Sequence, residues 1–349
     1  MTAFTLMTWN VQNLFLPTHD SGPDNERLFQ RKLESLAKVI DHANPDVLAL
    51  QEIGPDGVLT RLQSVLTHPM PHIAEGLSDR RGIRVATLAT VPIQSSHQLR
   101  QFPNLLRPIQ IKDIALDDPQ TPGDDTLTVN MGRGALEVVV TVDGTQVTIL
   151  NAHFKSKLIN YARKAGVVPG DPFIPNNEGE RNRYAAYALY LRTGEALTVR
   201  ERLNQLLADP ERPTDIKAGT GKRKAVIFCG DLNDETEAAT TQIIQGPSGS
   251  EVGTHGFGRS DSSDGYRMWN LAPLLPDVDG EPAYTRRYKG RGELIDHIFA
   301  SHKLVNPRNL PTARTIMLPD PLPDMGDDPD ERKNEPGSDH AAVVATFEL

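Results

Sequence analysis

The sequence predicts an α/β protein in which two mixed β-sheets pack against each other and helices cover their outer faces. Eight β-rich or alternating runs are spread over residues 5–347, so strands occupy most of the chain. Two segments with the apolar spacing of helices lie between these runs, at residues 26–42 and 180–208. Because strands and helices follow each other in mixed order, neither an all-helical nor an all-β fold is expected.

The predicted strands are short runs rich in β-branched and aromatic residues. They cover residues 5–9, 47–50, 85–89, 136–142, 146–150, 225–228, 295–300 and 342–347. Asp143 and Gly144 separate two of these runs, and an Asp-Gly pair favours the tight turn of a β-hairpin. We therefore expect a hairpin at this point of the chain.

The first predicted helix covers residues 26–42, where four apolar residues recur at the spacing of one buried face. These residues are Phe29, Leu33, Leu36 and Ile40. A short helix is expected after Pro55. The longest helical segment covers residues 180–208, and Gly194 is a point where it could be interrupted, since glycine weakens a helix interior.

Composition indicates a soluble globular protein. Of the 349 residues 38% are hydrophobic, and the mean hydropathy is −0.41. No window of the sequence is apolar enough to span a membrane. The one cysteine, Cys229, lies in an apolar strand pattern and is expected to be buried and inert. Residues 1–10 lack the features of a secretory leader, which favours the cytoplasm, and a secreted protein with a trimmed leader stays an alternative.

The net charge of −9 is unevenly distributed. Residues 317–337 hold seven acidic and two basic residues, a local charge of −5. A protein that coats nucleic acid generally would instead carry a broad basic face. The remainder of the chain is close to balanced, so a local positive surface towards a polyanion is compatible with this composition.

We expect residues 1–349 to form a single domain and the protein to be a monomer. Candidate site residues run from position 10 to position 340, so a division into independent domains would cut the site apart. Within this domain, residues of about 156–224 are expected to form a helical and loop insertion. Residues of about 307–337 are expected to form an acidic, proline-rich loop.

Residues that can bind a cation or transfer a proton stand at the tips of predicted strands. Asn10, Glu52, His153 and Asp231 each follow an apolar run, and Ser338-Asp339-His340 directly precedes one. Each residue alone has a simpler interpretation. Asn10 fits a turn, Glu52 fits the first turn of a helix, and Asp231 fits a cap of a helix near residues 235–241. The recurrence of such residues at strand ends favours a shared site.

These residue types suit the hydrolysis of a phosphodiester. The reaction needs a divalent cation to neutralise the phosphate, a water that is oriented and deprotonated, and a proton or metal for the leaving oxygen. Mg²⁺ prefers carboxylate and amide oxygens and keeps several waters, so few protein ligands suffice. The chain supplies such oxygens together with two imidazoles at the same strand ends.

Six short motifs occur in the order found in the endonuclease/exonuclease/phosphatase superfamily. They are Thr8-Trp9-Asn10, Gln51-Glu52, Asn151-Ala152-His153, Gly230-Asp231-Leu232-Asn233, Ile295-Asp296-His297 and Ser338-Asp339-His340. With these motifs the chain resembles DNase I-like members of that superfamily over nearly its whole length. The stretch 151–157 and the stretch 283–301 look most like bacterial nucleases of the extracellular type. The resemblance implies a four-layer α/β/β/α sandwich.

The resemblance also implies a metal site. Glu52 would be the principal ligand of Mg²⁺, with Asn10 beside it and Asp339 completing the site. Mn²⁺ or Ca²⁺ could take the place of Mg²⁺. Whether one or two metal ions bind stays open.

Five residues would carry the catalytic roles of the family. His340, oriented by Asp296, would be the general base or would hold the scissile phosphate. Asp231 would position or deprotonate the attacking water, and Asn233 would bind a phosphate oxygen or a second metal. His153 would be the general acid. In DNase I a glutamate on a neighbouring strand orients the histidine at this position, and the corresponding stretch 81–85 holds no carboxylate.

Phosphate contacts are expected from Arg133, Asn151 and Lys155. Further basic residues flank the predicted catalytic strands and would form a basic rim. They are Arg80, Arg81, Arg84, Lys157, Arg163, Lys164, Arg181, Arg183, Arg286, Arg287, Lys289 and Arg291. The alternative is that these residues belong to ordinary solvated loops.

The sequence therefore predicts a Mg²⁺-dependent phosphodiesterase that acts on nucleic acid, with a DNA endonuclease as the preferred reading. A phosphomonoesterase or a phospholipid or inositol-phosphate hydrolase on the same fold is the first alternative. A non-catalytic binding protein is the second, although every principal position of the site is filled. His297 should point away from the site, because adjacent residues of a strand face opposite sides.

Overall fold

Two six-stranded β-sheets stacked face to face form the centre of the protein. They are seen in a computed structural model that describes residues 2–55, 57–113, 126–161, 170–215, 217–247, 249, 251–259, 261, 263–307, 310–326, 328 and 331–349. The strands are β1 (Ala3–Leu14), β2 (Val47–Ile53), β3 (His72–Glu75), β4 (Arg84–Ala89), β5 (Ile93–Gln101), β6 (Ile109–Gln110), β7 (Leu127–Thr128), β8 (Asn130–Val142), β9 (Thr145–His153), β10 (Ala225–Asp231), β11 (Met268–Asn270), β12 (Arg286–Tyr288), β13 (Arg291–Glu293), β14 (Asp296–Ser301), β15 (Thr312–Ile316), β16 (Asp324–Met325) and β17 (Ala342–Glu348). The helices are α1 (Glu26–Ala43), α2 (Val58–Gln63), α3 (Glu178–Leu207) and α4 (Ala239–Gln245), with short 3₁₀ helices at Ala272–Leu274 and His302–Leu304.

Each large sheet is mixed and has a parallel pair at its centre. The first sheet has the order β15-β17-β1-β2-β4-β3, and the second has the order β11-β14-β10-β9-β8-β5. The parallel pairs are β1 with β2 and β9 with β10, and the other neighbouring strands of these sheets are antiparallel. Because both strands of a parallel pair end at the same edge, each sheet brings two carboxyl-terminal strand ends together.

The alternation of side chains along the strands explains why the two sheets pack. In β1, Leu6 belongs to the apolar core between the sheets, whereas the next residue, Met7, belongs to the core beneath α1. The core between the sheets also holds Ile149 of β9 and Ile227 of β10, both fully buried. Both central strands of the second sheet are apolar on both faces, because helices cover their other side.

Helices cover the outer faces of the sheets. The apolar stripe of α1 packs on the first sheet, as the spacing of its residues predicts, and Asn25 caps its first turn by accepting the Leu28 N–H. Residues Ala196, Val199 and Leu203 of α3 pack on the second sheet. The order helix, sheet, sheet, helix confirms the predicted four-layer sandwich.

Helix α3 runs without interruption from Glu178 to Leu207. The sequence allowed an interruption of this helix at Gly194. This residue lies where the helix contacts Phe102 and Ile109. A Cβ at this position would lie 2.5 Å from Ile109 Cδ1. Glycine is therefore explained by this close approach rather than by a break in the helix.

All eight predicted strands are present, and Asp143 and Gly144 form the predicted hairpin turn, with φ values of 46° and 74°. The sequence did not predict the edge strands β5 and β15. Strand β15 lies inside the segment 307–337, which was expected to be a loop, and pairs with β17. Edge strands bury one side only, so their sequences lack a clear apolar pattern. Among the described residues, no helix is long and apolar enough to cross a membrane.

Asn151 joins the two sheets near their centre. Its Nδ2 donates hydrogen bonds to the backbone oxygens of Leu50 and Ala86, at 3.0 and 2.9 Å, and both residues belong to the first sheet. Its Oδ1 accepts a hydrogen bond of 2.7 Å from Gln51 Nε2. Asn151 is fully buried, so these groups can be satisfied only by one another.

We expect Asn151→Ala to lower the free energy of unfolding by about 2–5 kcal/mol, because it leaves several buried polar groups without partners. Urea denaturation followed by circular dichroism measures the change. The matched control is Asn160→Ala at an exposed position, where a change within about 0.5 kcal/mol is expected. A loss for Asn151→Ala no larger than that of the control would contradict this role.

Candidate active site

The carboxyl-terminal ends of the two parallel pairs carry four of the predicted site residues. Asn10 lies on β1 and Glu52 on β2, in the first sheet, and His153 and Asp231 end β9 and β10, in the second. The register places Asn10 opposite Gln51 and Asp231 opposite His153. Each parallel pair therefore presents two functional side chains at one edge of its sheet.

The antiparallel neighbours of these pairs begin at the same edge. Strand β14 begins at Asp296, which lies opposite Asp231 of β10. Strand β17 runs antiparallel to β1 and begins just after Asp339 and His340. Strand direction alone thus brings residues from opposite ends of the sequence to one edge of the sandwich.

Three polar pairs connect the sheets at this edge, and we call them the cross-sheet seam. They are Asn10 Nδ2 with Asp231 Oδ2 at 2.9 Å, Glu52 Oε1 with His153 Nε2 at 3.9 Å, and His340 Nδ1 with Asp296 Oδ2 at 2.7 Å. In each pair one partner comes from the side of the first sheet and the other from the second sheet. All six side chains are buried or mostly buried. Six of the eight predicted catalytic and metal-binding residues therefore lie together where the two sheets meet.

Backbone contacts fix the turn that carries Asp339 and His340. Ser338 Oγ donates a 2.6 Å hydrogen bond to the Asn10 backbone oxygen and accepts one of 3.0 Å from the His340 N–H. Trp9 Nε1 donates to the His340 backbone oxygen at 2.9 Å. Trp9 is fully buried, as expected for a core residue rather than a surface for stacking bases.

Glu52 occupies a strained backbone position. Its φ of 63° is uncommon for a residue with a side chain, and such positions concentrate at functional sites. Its Oε2 accepts a hydrogen bond of 2.8 Å from the Asn13 N–H, which leaves Oε1 turned towards His153. Strand β2 therefore presents a carboxylate oxygen to the site, and the helical first-turn interpretation of Glu52 does not hold.

Lys32 supports this side of the site, and the sequence analysis did not identify it. Its Nζ donates a 2.6 Å hydrogen bond to the Gln12 backbone oxygen. Burial lowers the pKa of Lys32 to about 8, while the charges of Asp339 and Glu52 act in the opposite direction. Lys32 therefore lies close to two of the three predicted metal ligands.

Asp231 is held by its neighbours on three sides. Its Oδ1 accepts a 2.9 Å hydrogen bond from the Asn233 N–H, and its Oδ2 faces Asn10 and His153. At Gly230, where φ is 138°, a Cβ would lie 1.9 Å from the Ala152 backbone oxygen, so glycine is required just before the aspartate. Burial, followed by the charge of Asp296, raises the pKa of Asp231 to about 7.

Asp231 is not a helix cap, because α4 begins at Ala239 and no side chain caps it. Asn233 donates from Nδ2 to the Phe154 backbone oxygen at 3.1 Å and has a φ of 53°. These contacts hold the segment after β10 in one conformation beside the site. The positive φ of Asn233 matches that of Glu52 on the opposite sheet.

The pKa values of the two histidines of the site are shifted in opposite directions. Burial by itself would lower the pKa of His340, but the charge and hydrogen bond of Asp296 raise it to about 10. His340 is therefore an imidazolium at neutral pH. Burial, together with the positive charge of Arg133, holds the pKa of His153 well below its ordinary value. His153 is therefore neutral.

The orientation of His153 differs from that implied by the resemblance to DNase I. Its Nδ1 is buried and has no hydrogen-bond partner among the described residues, whereas Nε2 lies 3.3 Å from Asp231 Oδ2. The stretch 81–85 supplies no carboxylate to orient the ring, as its sequence indicated. Asp231 and Glu52 approach this ring through Nε2 instead.

The three residues expected to contact phosphate have different environments. Arg133 lies beside the site with Asp79, at 3.5 Å between Nε and Oδ2, and its charge acts on His153. Lys155 Nζ donates to the backbone oxygens of its own loop, at Ser156 and Leu158. Asn151 is buried between the sheets, where its amide forms three hydrogen bonds, and its contact with phosphate stays a prediction.

Residues of helix α3 form hydrogen bonds with the two segments that carry Arg133 and Lys155. Glu195, 1% exposed, accepts the Gly132 N–H at 2.9 Å and the Lys155 N–H at 2.6 Å. Arg192 Nη1 donates to the Lys155 backbone oxygen at 3.0 Å and Nε donates to Asp234 Oδ2 at 2.6 Å. The sequence analysis missed both residues. Their one signal is the placement of charged side chains on the apolar stripe of a helix.

The donor set at the seam fits a hard divalent cation. Glu52 Oε1 has no hydrogen-bond donor among the described residues, and Asp296 Oδ1 is buried without one. Among the described residues, Asp231, Asp296 and His340 form a group of possible ligands whose ligand atoms lie within 4.8 Å of one another. His340 is protonated and its Nδ1 is hydrogen-bonded to Asp296, so this histidine is not suited to bind a metal ion. We therefore favour oxygen atoms as the metal ligands.

The small sheet β13-β12-β16 forms one rim of the site. Arg286 pairs with His340 through the backbone, and its Nε lies 3.9 Å from Asp339 Oδ2. The cations of Arg286 and Lys289 lie 5.3 and 5.1 Å from the ring centre of Tyr288. This part of the predicted basic rim therefore adjoins the site.

Other members of the predicted rim are engaged elsewhere. Lys157 lies 3.6 Å from Glu293, Arg183 pairs with Asp113, and Arg181 pairs with Glu178. Arg163 and Lys164 lie outside the described residues. His297 faces away from the site, as expected, and its Nε2 lies 2.9 Å from the Asp234 backbone oxygen. Cys229 is buried.

Comparison with known proteins gives a family and a fold. A sequence profile described as Endonuclease/Exonuclease/phosphatase family matches residues 7–340. A search of curated proteins finds no match. Among solved structures, truncated Caenorhabditis elegans TDP2 is 14% identical with a TM-score of 0.52, covering 99% of this chain and 98% of that one. SmcL is 14% identical, with a TM-score of 0.53 and 99% of each chain covered. The human Nocturnin catalytic domain with bound sulfate anion is 15% identical, with a TM-score of 0.52 and coverages of 99% and 94%.

The pair of His340 and Asp296 gives a pH-dependent contribution to stability in metal-free protein. The folded-state pKa of His340, about 10, lies above the ordinary histidine value of 6.5. The pair therefore contributes fully below about pH 6.5, and its contribution is lost as the pH rises towards 10. We expect the stability difference between the wild type and His340→Gln to shrink over this range, measured by urea denaturation in the presence of chelator.

Asp296→Asn is the matched background for this measurement. With the carboxylate removed, the stability difference caused by His340→Gln should vary much less with pH. Comparing the two backgrounds also cancels the contributions of other titrating groups, such as Lys32. A wild-type difference that stays constant from about pH 6.5 to about pH 10 would contradict the assigned state of His340.

Proposed function

This chain belongs to the endonuclease/exonuclease/phosphatase family, and we propose that it is a metal-dependent phosphodiesterase that cleaves DNA internally. The family consists mostly of hydrolases that act on phosphoester bonds. The cross-sheet seam carries the proposal, because it joins carboxylates, an amide and two imidazoles in one buried cluster with Arg133 beside it. A buried cluster of this composition is suited to a cation and a phosphate.

We propose that Asn10, Glu52 and Asp339 hold Mg²⁺, with Mn²⁺ or Ca²⁺ as possible substitutes. When bound, the cation would neutralise the phosphate and stabilise charge on the leaving oxygen. The acidic character of the seam supports this assignment, since four carboxylates lie around it. Lys32 would limit their mutual repulsion and keep Glu52 and Asp339 in place from behind.

Asp231 is our candidate for the general base. Its pKa, raised to about 7 by burial and by Asp296, is suited to taking a proton from water near neutral pH. Asn10 and the Asn233 N–H hold its two oxygens in fixed directions. A neutral His153 with its proton on Nε2 would donate to Asp231, so we propose that His153 positions the base rather than acting as the general acid.

His340 is our candidate for binding the scissile phosphate. The sequence left two roles for this residue, a general base or a phosphate ligand. A protonated imidazole held by Asp296 cannot accept a proton, but it can donate a charge-assisted hydrogen bond from Nε2 to a phosphate oxygen. Arg133 would bind the same phosphate from the side of the second sheet. Asn233 would contribute a further contact.

The basic residues of the rim favour a polyanionic substrate. Arg286, Lys289 and Arg291 lie on the small sheet next to Asp339, and two of them flank Tyr288. Cations beside an aromatic ring are a common combination on surfaces that bind nucleic acid. A phosphomonoesterase or a hydrolase of phospholipid head groups would need the same seam and not this rim. We therefore treat these activities as outcomes of the assay.

We expect His340→Ala and Asp231→Asn each to lower the rate of plasmid cleavage by about 10²–10⁴-fold without unfolding the protein. Supercoiled plasmid, linear duplex, single-stranded DNA and RNA are incubated with Mg²⁺, Mn²⁺ or chelator, beside p-nitrophenyl phosphate and a sphingomyelin substrate. The matched control is His97→Ala, an exposed position on β5. Unchanged cleavage by purified His340→Ala, or cleavage of the monoester alone, would overturn the proposal.

A second prediction concerns the rim. Lys289→Ala combined with Arg291→Ala should raise the KM for DNA and make the salt dependence shallower by about one to two counter-ions, because two cations near phosphates are lost. Hydrolysis of bis-p-nitrophenyl phosphate, which is too small to reach the rim, should not change. Arg314→Ala, an exposed arginine on β15, is the control. An equal effect of Arg314→Ala would rule out a specific role of the rim.

A further inference from the structure

A cavity of about 750 Å³ lies at the carboxyl-terminal end of α3, and it shares no residue with the cross-sheet seam. Ala208, Pro210, Pro213 and Pro247 supply apolar walls, and Arg200 and Lys224 also line it. The volume is in the range of sites for small organic ligands, about 300–1,000 Å³. The proposed phosphodiesterase reaction uses none of these residues, so the cavity calls for a separate explanation.

Arg200 is the polar feature of this cavity. The residue is only 7% exposed. Its guanidinium donates to the Ile244 backbone oxygen at 2.9 Å, the Tyr266 backbone oxygen at 2.6 Å and Asn204 Oδ1 at 2.9 Å. All three acceptors are neutral. The hydrogen bonds therefore fix the position of the cation without neutralising its charge.

Two other buried arginines of this protein, Arg192 and Arg267, each have a carboxylate partner. Arg192 lies 2.6 Å from Asp234, and Arg267 lies 3.1 Å from Asp261. Within the part of the chain that the structure describes, no carboxylate forms an ion pair with Arg200. Burial lowers the pKa of Arg200 to about 10, and no neighbouring acid raises it. A buried cation without a counter-charge is unfavourable, so an anion next to it would stabilise the protein.

The surroundings keep this cation in place and keep the cavity positive. At Gly246, where φ is 86°, a Cβ would lie 2.7 Å from Arg200 Nη1, so glycine allows the guanidinium to lie against the backbone. Asp209 is the acidic residue that lines the cavity, and it lies 3.6 Å from both Arg212 and Arg223. Its charge is therefore already compensated outside the cavity.

We propose that this cavity binds a small organic anion, in which an apolar body carries one carboxylate, sulfonate or phosphate group placed beside Arg200. The apolar walls would take the body of the ligand, and the guanidinium would bind the charged group with charge-assisted hydrogen bonds. Because the cavity lies away from the seam, the proposal does not depend on the reaction that the seam performs.

Isothermal titration calorimetry with 2-naphthalenesulfonate tests this proposal, with neutral 2-naphthalenemethanol as the comparison ligand. We expect saturable binding of the sulfonate and at least about tenfold weaker binding of the alcohol, since only the anion can pair with Arg200. Ala208→Leu, which places a larger side chain in the apolar wall of the cavity, should weaken sulfonate binding at least about tenfold. Arg200→Met should weaken the binding of the sulfonate to that of the alcohol.

Two controls keep the result clear. His340→Ala removes a cation from the seam and should leave sulfonate binding unchanged, which separates the cavity from the candidate active site. Near-ultraviolet circular dichroism checks that each variant is folded, and Ala208→Leu decides the outcome if Arg200→Met does not fold. No binding to the wild type, equal binding of both ligands, or sulfonate binding by Ala208→Leu as tight as that of the wild type would overturn the proposal.

Discussion

The cross-sheet seam is the constraint on which the remainder of the structure depends. Apolar attraction between two sheets is non-directional, but buried polar groups cannot lose their specific partners without a loss of stability. The seam joins Asn10 to Asp231, Glu52 to His153 and His340 to Asp296, and Asn151 adds a fourth connection further inside. These contacts fix how one sheet lies on the other. The same contacts bring the candidate catalytic groups together.

The seam also shifts the pKa values of its titrating groups in opposite directions. Burial and the neighbouring Asp296 raise the pKa of Asp231 to about 7, while Asp296 holds His340 protonated. Burial and the nearby cations keep His153 neutral. Three groups of the same small pocket thus have separate protonation states at neutral pH, which is the condition for assigning a base and a cationic phosphate ligand. Their pKa values differ because burial and neighbouring charges differ at each position in the sandwich.

Much of this arrangement could be predicted from the sequence, because it depends on strand direction. A polar residue after an apolar run, as at His153 or Asp231, marks the end of a strand, and central strands have the clearest apolar patterns. Edge strands such as β5 and β15 have no such pattern and were missed. Side chains that act across the chain were missed as well. Glu195 contacts residues 40 and 63 positions away, and Lys32 reaches Gln12 from a helix, so neither leaves a local signal.

The most direct measurement of the central claim is a double-mutant cycle between the two sheets. Single-turnover cleavage of DNA is measured for Asp231→Asn, for His340→Gln and for the double variant, with circular dichroism confirming that each is folded. If residues of both sheets act as one catalytic unit, the double variant should be about as slow as the slower single variant, as found for groups that act together. Rate losses that multiply in the double variant would contradict a shared site built across the seam.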